Sequence, residues 1–278
     1  MKLNVTVVCE NSIGRAIPAI GEHGFACWLE LDGHHYLMDS GQGLGIINNA
    51  QVLKLPLEKL EAIIISHGHY DHAGGLDKVL RFTGAIDVYA HPEIFAARYA
   101  KSADALRFVG IPVRREVLET LGANFIATPQ FRRIAPNLWV TGAVERSNDF
   151  EHGDANLVRR RDDGTFEADP FNDDMAVIVD TPKGLCVILG CAHAGIINTL
   201  DHICARLQRD DIYAVIGGTH LGPVSARQFD ATMKELERFN IEKIGVSHCT
   251  GQMRAALVRE KFPQSFFFAS VGAKLEIS

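Results

Sequence analysis

The stretch Ser66-His67-Gly68-His69-Tyr70-Asp71-His72-Ala73-Gly74-Gly75-Leu76 follows directly on the apolar run Ile63-Ile64-Ile65. A run of β-branched residues ahead of a glycine-bearing turn is the pattern of a buried strand. Three imidazoles and one carboxylate then fall within the six positions 67–72. Neutral nitrogen and anionic oxygen suit zinc or a similar divalent ion. Side chains two residues apart share one side of an extended segment, so His67 and His69 are placed to hold one ion. Asp71 and His72, on the turn into the next helix, reach toward a second.

Three more apolar runs end in histidine. Val187-Ile188-Leu189 leads to Gly190-Cys191-Ala192-His193, Val215-Ile216 to Gly217-Gly218-Thr219-His220, and Ile244-Gly245-Val246 to Ser247-His248-Cys249. A lone histidine after a strand is most simply a satisfied structural residue, since imidazole is intermediate in burial preference. Four such strand ends reverse that reading, because in open sheets flanked by helices ligands bind beyond the strand ends.

The chain has 278 residues and 47% hydrophobic content, enough core for one large layered domain. A single domain over residues 1–278 is expected, with a lid or insertion at about 98–172. The formal net charge of -6 supplies no basic field to hold a polyanion, which argues against nucleic acid as a substrate. Arg159-Arg160-Arg161 runs straight into Asp162-Asp163-Gly164 and reads as a solvated hairpin end. Cys9, Cys27, Cys186, Cys191, Cys204 and Cys249 show no Cys-x-x-Cys spacing and read as reduced thiols. No apolar run approaches the roughly 18 residues of a bilayer span, and Met1 to Val5 enters an alternating strand pattern without a charged leader. A cytoplasmic protein with no membrane partner is the expectation.

The periodicity predicts strands over Leu3–Cys9 and Leu60–Ile65, and a hairpin from Phe25 through the Asp32-Gly33 turn to Met38. His34 and His35 fall at that turn. Helices are predicted over Leu44–Leu53 and Gly74–Phe82, a strand over Ile86–Ala90, a helix over Glu93–Ala100 and a strand over Leu138–Thr141. Glu145 to Asp173 is polar with little periodicity and reads as a structureless substrate cover. Beyond it come a second hairpin, Met175–Leu189, the helices Ile196–Leu207, Ala226–Phe239 and Met253–Phe262, and the strands Tyr213–Ile216 and Ile241–Val246.

Ser66 to Leu76 resembles the His-x-His-x-Asp-His motif of the metallo-β-lactamase superfamily, here in its strand-to-helix setting. Leu37-Met38-Asp39-Ser40-Gly41 resembles that superfamily's strand-end Asp motif, whose carboxylate supports the metal loop from behind, as ligand histidines generally require. The resemblance covers most of the chain. It implies an α/β fold, a four-layer αββα sandwich of two mixed sheets with two metal ions between the sheet edges. The segments around Cys191 and His193, His220, and His248, with Thr141-Gly142 through Arg146 to Phe150-Glu151, together resemble one branch of the superfamily. That branch is named after 7,8-dihydropterin-6-methyl-4-(β-D-ribofuranosyl)-aminobenzene-5'-phosphate synthase.

Two positions depart from the superfamily pattern. A bridging Asp in a Gly-Asp pair is replaced by Gly190-Cys191, and a His before the second hairpin by Asn172-Asp173-Asp174. The resemblance then implies His67, His69, Asp71, His72, His193 and His248 as ligands, with His193 filling one missing role and His248 closing the second ion. Cys191 reads as a bridging thiolate or as a small buried cysteine, and Asp174 as a further ligand or as a plain loop carboxylate. The implied cofactors are two divalent ions, zinc first, with iron and manganese equally compatible with the donors.

Such a pair acidifies a shared water from a pKa of about 15.7 toward roughly 7 and polarises an ester oxygen. The leading expectation is thus a metal-dependent hydrolase of a small, anionic, phosphorylated or cyclic metabolite. The alternative is a pterin-transferring synthase that joins dihydropterin-methyl to a ribofuranosyl-aminobenzene phosphate. Asp71 and His220 are the candidate catalytic residues, with His220 assigned to proton donation or oxyanion contact and a ligand role as its alternative. Arg146 is the candidate anion contact. His23, His91, His152 and His202 read as structural or surface residues.

Overall fold

The computed structural model describes residues 1–278. Its first half comprises β1 (Leu3–Cys9), β2 (Ala26–Leu31), β3 (His34–Met38), α1 (Ile46–Leu53), β4 (Ala62–Ile64), α2 (Tyr70–Ala73), α3 (Leu76–Thr83) and β5 (Ile86–Ala90). The middle carries β6 (Arg98–Lys101), β7 (Leu106–Phe108), α4 (Arg115–Thr120), β8 (Ala123–Ala127), β9 (Arg132–Ala135), β10 (Leu138–Val140), β11 (Leu157–Arg160) and β12 (Phe166–Ala168). The second half is β13 (Ala176–Thr181), β14 (Gly184–Leu189), α5 (Ile196–Leu207), β15 (Ile212–Gly218), α6 (Ala226–Leu236), β16 (Lys243–Ser247), α7 (Gln252–Lys261), β17 (Phe266–Phe268) and β18 (Lys274–Ile277).

These strands form two seven-stranded mixed sheets, β18-β1-β2-β3-β4-β5-β8 and β17-β16-β15-β14-β13-β10-β9, and a small sheet β12-β11-β6-β7. The alternation of apolar residues sorts them into layers. In β4, Ala62 and Ile64 belong to the core between the two large sheets, while Ile63 points to the helices of the first half. In β13, Val177 and Val179 face that same central core and Ala176 and Ile178 the helices of the second half. Three separate apolar interfaces are what a four-layer αββα stack requires. The expected α/β sandwich of two mixed sheets is the fold observed. The β2–β3 hairpin turns through Asp32 (φ 50) and Gly33 (φ 86), the paired positive angles of a tight two-residue turn.

The middle of the chain differs from its sequence reading. No helix spans Glu93–Ala100: one 3-10 turn, Pro92–Phe95, gives way to β6. Pairing explains the difference, because Arg98 to Ala100 align with Arg159 to Leu157 of β11, and Tyr99 packs edge-on against Phe108 and Phe166. Residues 145–173 likewise contain β11 and β12 instead of an unstructured cover. His34 and His35 open β3 and pair with Leu31 and Glu30, outside the turn proper. Strand β18 returns to the first sheet beside β1, so the last residues of the chain complete the sheet that the first residues began.

Candidate metal centre

The histidines of the strand ends meet where the two large sheets present their edges. Asp39 follows β3, and Ser66 to His72 follow its parallel neighbour β4. In the second sheet β14, β15 and β16 are parallel neighbours, followed by Cys191 and His193, by His220, and by His248 and Cys249. Four of these ends bend through a left-handed residue other than glycine: Asp39 (φ 60), Ala192 (φ 55), His220 (φ 49) and His248 (φ 50). Such angles are uncommon and strained for L residues, and they persist where the surroundings hold them.

Asp39 organises the first loop from a fully buried position. Its Oδ1 accepts the Ser66 N–H at 2.7 Å, and its Oδ2 accepts the Ser66 hydroxyl at 2.7 Å. The same Oδ2 takes the Nδ1 hydrogen of His72 at 2.7 Å. Ser66 Oγ, having donated its own hydrogen, accepts that of His67 Nδ1 at 2.9 Å. Both rings are therefore held with Nδ1 protonated and Nε2 turned inward, a proton assignment that follows from the network. His248 is fixed in the same sense, its Nδ1 lying 3.0 Å from Asn11 Oδ1, an oxygen that already accepts the Gly24 N–H.

Two groups of donors result. His67 Nε2 lies 3.0 Å from His69 Nδ1 and 3.2 Å from His193 Nε2. Burial keeps these three rings neutral, holding His69 down to about 3 and the other two well below the ordinary imidazole range. His69 Nε2 and His193 Nδ1 have no hydrogen-bond partner. With the hydrogens on those outer nitrogens, three lone pairs converge on one point, a donor set suited to a cation. Phe171 stacks on His193 at 4.1 Å and fixes its plane.

In the second group, His72 Nε2 is 3.1 Å from Cys191 Sγ and 3.3 Å from His248 Nε2. Asp71 Oδ2 lies 3.4 Å from His248 Nε2 and 3.2 Å from His23 Nε2. Burial opposes protonation of His72, but the Asp39 and Asp71 carboxylates outweigh it and raise the ring to about 9. At neutral pH that ring holds a second proton, which an ion must replace. The two groups adjoin, since the His67 and His72 rings are 4.1 Å apart. The residues present thus fit a pair of divalent ions, His67, His69 and His193 toward one and Asp71, His72 and His248 with Cys191 toward the other.

A family model described as the Metallo-beta-lactamase superfamily matches residues 21–248. The chain belongs to this superfamily. It is 26% identical over 273 residues to the 7,8-dihydropterin-6-methyl-4-(beta-D-ribofuranosyl)-aminobenzene-5'-phosphate synthase of Methanocaldococcus jannaschii, covering 95% of this chain and 93% of the relative. An uncharacterized protein of the same organism, MJ0448, is 30% identical over 258 residues, covering 90% and 92%. Among solved structures, Tm1679, described as a metal-dependent hydrolase of the beta-lactamase superfamily, superposes with a TM-score of 0.83 at 27% identity over 99% of both chains.

In this superfamily member the centre opens into a cavity of about 280 Å³ whose wall includes His23, Arg107, Asp154, His220 and Cys249. His220 stands with its ring 4.2 Å from that of His193, neither ring nitrogen is hydrogen-bonded, and its backbone N–H is donated to Cys249 Sγ at 3.2 Å. Arg146 does not reach the cavity wall; its guanidinium bonds Pro170 O at 3.1 Å and His193 O at 3.5 Å. Asp174 accepts the Ala194 N–H at 2.9 Å and braces the Cys191–His193 loop, outside the ligand groups. Burial raises its carboxyl to about 6. Glu151 accepts the N–H groups of Ile197 and Asn198 and so caps the first turn of α5, directly after His193.

Three residues that the sequence reading passed over join the site. His23, read as a structural or surface residue, faces Asp71 and packs its ring 4.7 Å from that of His248. Cys249 lies within ligand range of Cys191 and His248. Arg107 belongs to β7, a strand that no periodicity announced. The only sequence signal among these is the adjacency of Cys249 to His248, since His23 lies in the loop between β1 and β2 and Arg107 reaches the site by the pairing of β7 with β6.

Proposed function

We propose that the chain is a metal-dependent hydrolase that adds water to a small anionic ester, a phosphorylated or cyclic metabolite. The carrying observation is the convergence of His67, His69 and His193 lone pairs beside Asp71, His72 and His248 at the floor of a small cavity. Two bound divalent ions would supply Lewis acidity, lowering the pKa of water toward roughly 7 and polarising the scissile oxygen. The chain supplies the rest. Arg107 on the cavity wall offers a guanidinium for the anionic end of the substrate. Asp71 orients attacking water as a hydrogen-bond acceptor, and His23 beside it holds the carboxylate form.

His220 delivers a proton to the departing oxygen. Burial disfavours its charged form, but Cys249, Asp154 and Asp174 outweigh burial and raise it from the ordinary imidazole value, which favours the acid form that a proton donor needs. Turnover of a panel of phosphodiesters, cyclic phosphates and lactones by the metal-loaded protein tests the reading. Hydrolysis lost in both His67→Ala and His220→Ala is the expected result, and a panel with no turnover contradicts it.

A second reading has its own support in the 26% identity, along nearly the whole chain, to a named synthase. There the same centre would polarise a leaving group while a pterin methyl carbon is transferred to an aminobenzene acceptor. Pyrophosphate release from a hydroxymethyl-pterin pyrophosphate that depends on the ribosyl-aminobenzene partner would favour transfer. Release by water alone would favour hydrolysis.

A further inference from the structure

We infer that the second ion position is a sulfur site, in which Cys249 and Cys191 both bind the ion as thiolates beside His248. This inference rests on the two-ion reading of the centre and specifies its second half. Cys191 Sγ, Cys249 Sγ and a ligand atom of His248 all lie within 4.8 Å of one another. Cys191 Sγ also lies 3.1 Å from His72 Nε2, which ties the thiol pair to the metal loop of the opposite sheet. Cys249 Sγ accepts the backbone N–H of His220 at 3.2 Å and donates to the Cys191 carbonyl at 3.6 Å, which holds the sulfur between the ends of β14 and β15.

The backbone makes room for that sulfur. A Cβ on Gly218 would stand 2.4 Å from the Gly190 carbonyl and 2.7 Å from Cys249 Sγ, so glycine at the end of β15 lets both the neighbouring strand end and the thiol approach. Charge balance favours the same assignment. Buried cations need anionic partners, and the imidazoles contribute none. Asp39 is engaged by Ser66 and His72, and Asp174 by Ala194, which leaves Asp71, beside His23 and His248, as the one carboxylate of the ligand groups. Thiolates from Cys191, which stands where the superfamily pattern carries a bridging Asp, and from Cys249 beside His248 supply the missing negative charge. Each thiol loses its proton to solvent as the ion binds, with no change of oxidation state. Sulfur donors select thiophilic ions such as zinc, cadmium or ferrous iron over magnesium or calcium.

Cadmium NMR of the full-length protein loaded with cadmium ions tests the assignment. Two resonances are expected, one in the nitrogen and oxygen range and one displaced strongly downfield by sulfur. Cys191→Ser and Cys249→Ser should each move the downfield resonance back by about one sulfur donor and leave the other in place. Two resonances both in the nitrogen and oxygen range overturn the sulfur site while the two-ion reading stands. A downfield resonance that Cys191→Ser moves and Cys249→Ser does not overturns the role of Cys249. Failure to bind cadmium overturns both readings. The wild-type spectrum decides the central point even if a variant does not fold.

Discussion

At the scale of the residue, Asp39 shows how much one buried carboxylate decides. Its two oxygens hold Ser66, and through Ser66 and His72 they set which nitrogen each of two rings turns inward. Asp39→Asn keeps the shape and removes the charge. It should lose about 1.5–3 kcal/mol of stability, the range for hydrogen bonds to charged groups, and should lower metal content, measured by denaturant melts and elemental analysis. The unlike protonation of the two ligand groups makes a second prediction. Because His72 is raised to about 9, an ion at the second position displaces a proton below that pH. Its affinity should rise at least tenfold per pH unit up to about 9, with the His72 proton released along with those of the thiols that bind the ion. Because His69 is lowered to about 3 and is already neutral, the first position should show no such slope above pH 5. Calorimetry in buffers of different ionisation enthalpy separates the two, and equal proton release at both positions would refute the assignment.

At the scale of the element, the small sheet is tied to the metal loop by one buried side chain. Arg98, in β6, is 1% exposed and donates to Asp169 and Asp173 at 2.7 Å each. Asp173 in turn accepts the N–H of Gly68, between the first two histidines of the loop. Removing the cation strands two buried carboxylates, so Arg98→Ala should cost about 3–5 kcal/mol. Burial already raises Asp173 to about 7, with Arg98 and the Gly68 N–H pulling it down, and without Arg98 it rises further. A carboxyl raised in the folded state holds its proton there after the unfolded chain has lost its own, so stability falls as pH rises through that window. The deficit of Arg98→Ala should therefore be larger at pH 8 than at pH 5 in urea titrations.

The same elements show what could be read from sequence. The strands around the centre announced themselves because period-two alternation sorts their side chains between two cores, as in β4 and β13. The strand-end histidines stand out because each ends an apolar run, and in the structure they do lie together. Strands β6, β11 and β12 carry no such alternation. Pairing with one another holds them, together with the Arg98 bridge and the Tyr99 contacts. Arg146 carried the right chemistry for an anion but spends it on backbone carbonyls, whereas Arg107 holds the cavity wall because β7 pairs with β6. Local sequence does not encode such non-local pairing.

At the scale of the whole molecule, the candidate ligands come from both large sheets. Asp71 and His72 follow β4 in the first, and Cys191, His193 and His248 follow strands of the second. Ions bound there would cross-link the halves of the sandwich. Any ligand that binds only the folded state stabilises it by mass action, about 2.7 kcal/mol at a hundredfold excess over Kd. Chelation should therefore lower the midpoint of thermal unfolding, and zinc should restore it in proportion to the logarithm of its concentration. Anomalous scattering at the metal edge from crystals of the metal-loaded protein reads the ligands of each ion directly. Two peaks are expected, one bound by His67, His69 and His193 and the other by Asp71, His72 and His248 with sulfur. A single peak, or density that leaves His193 and His248 outside coordination distance, would contradict the two-ion centre.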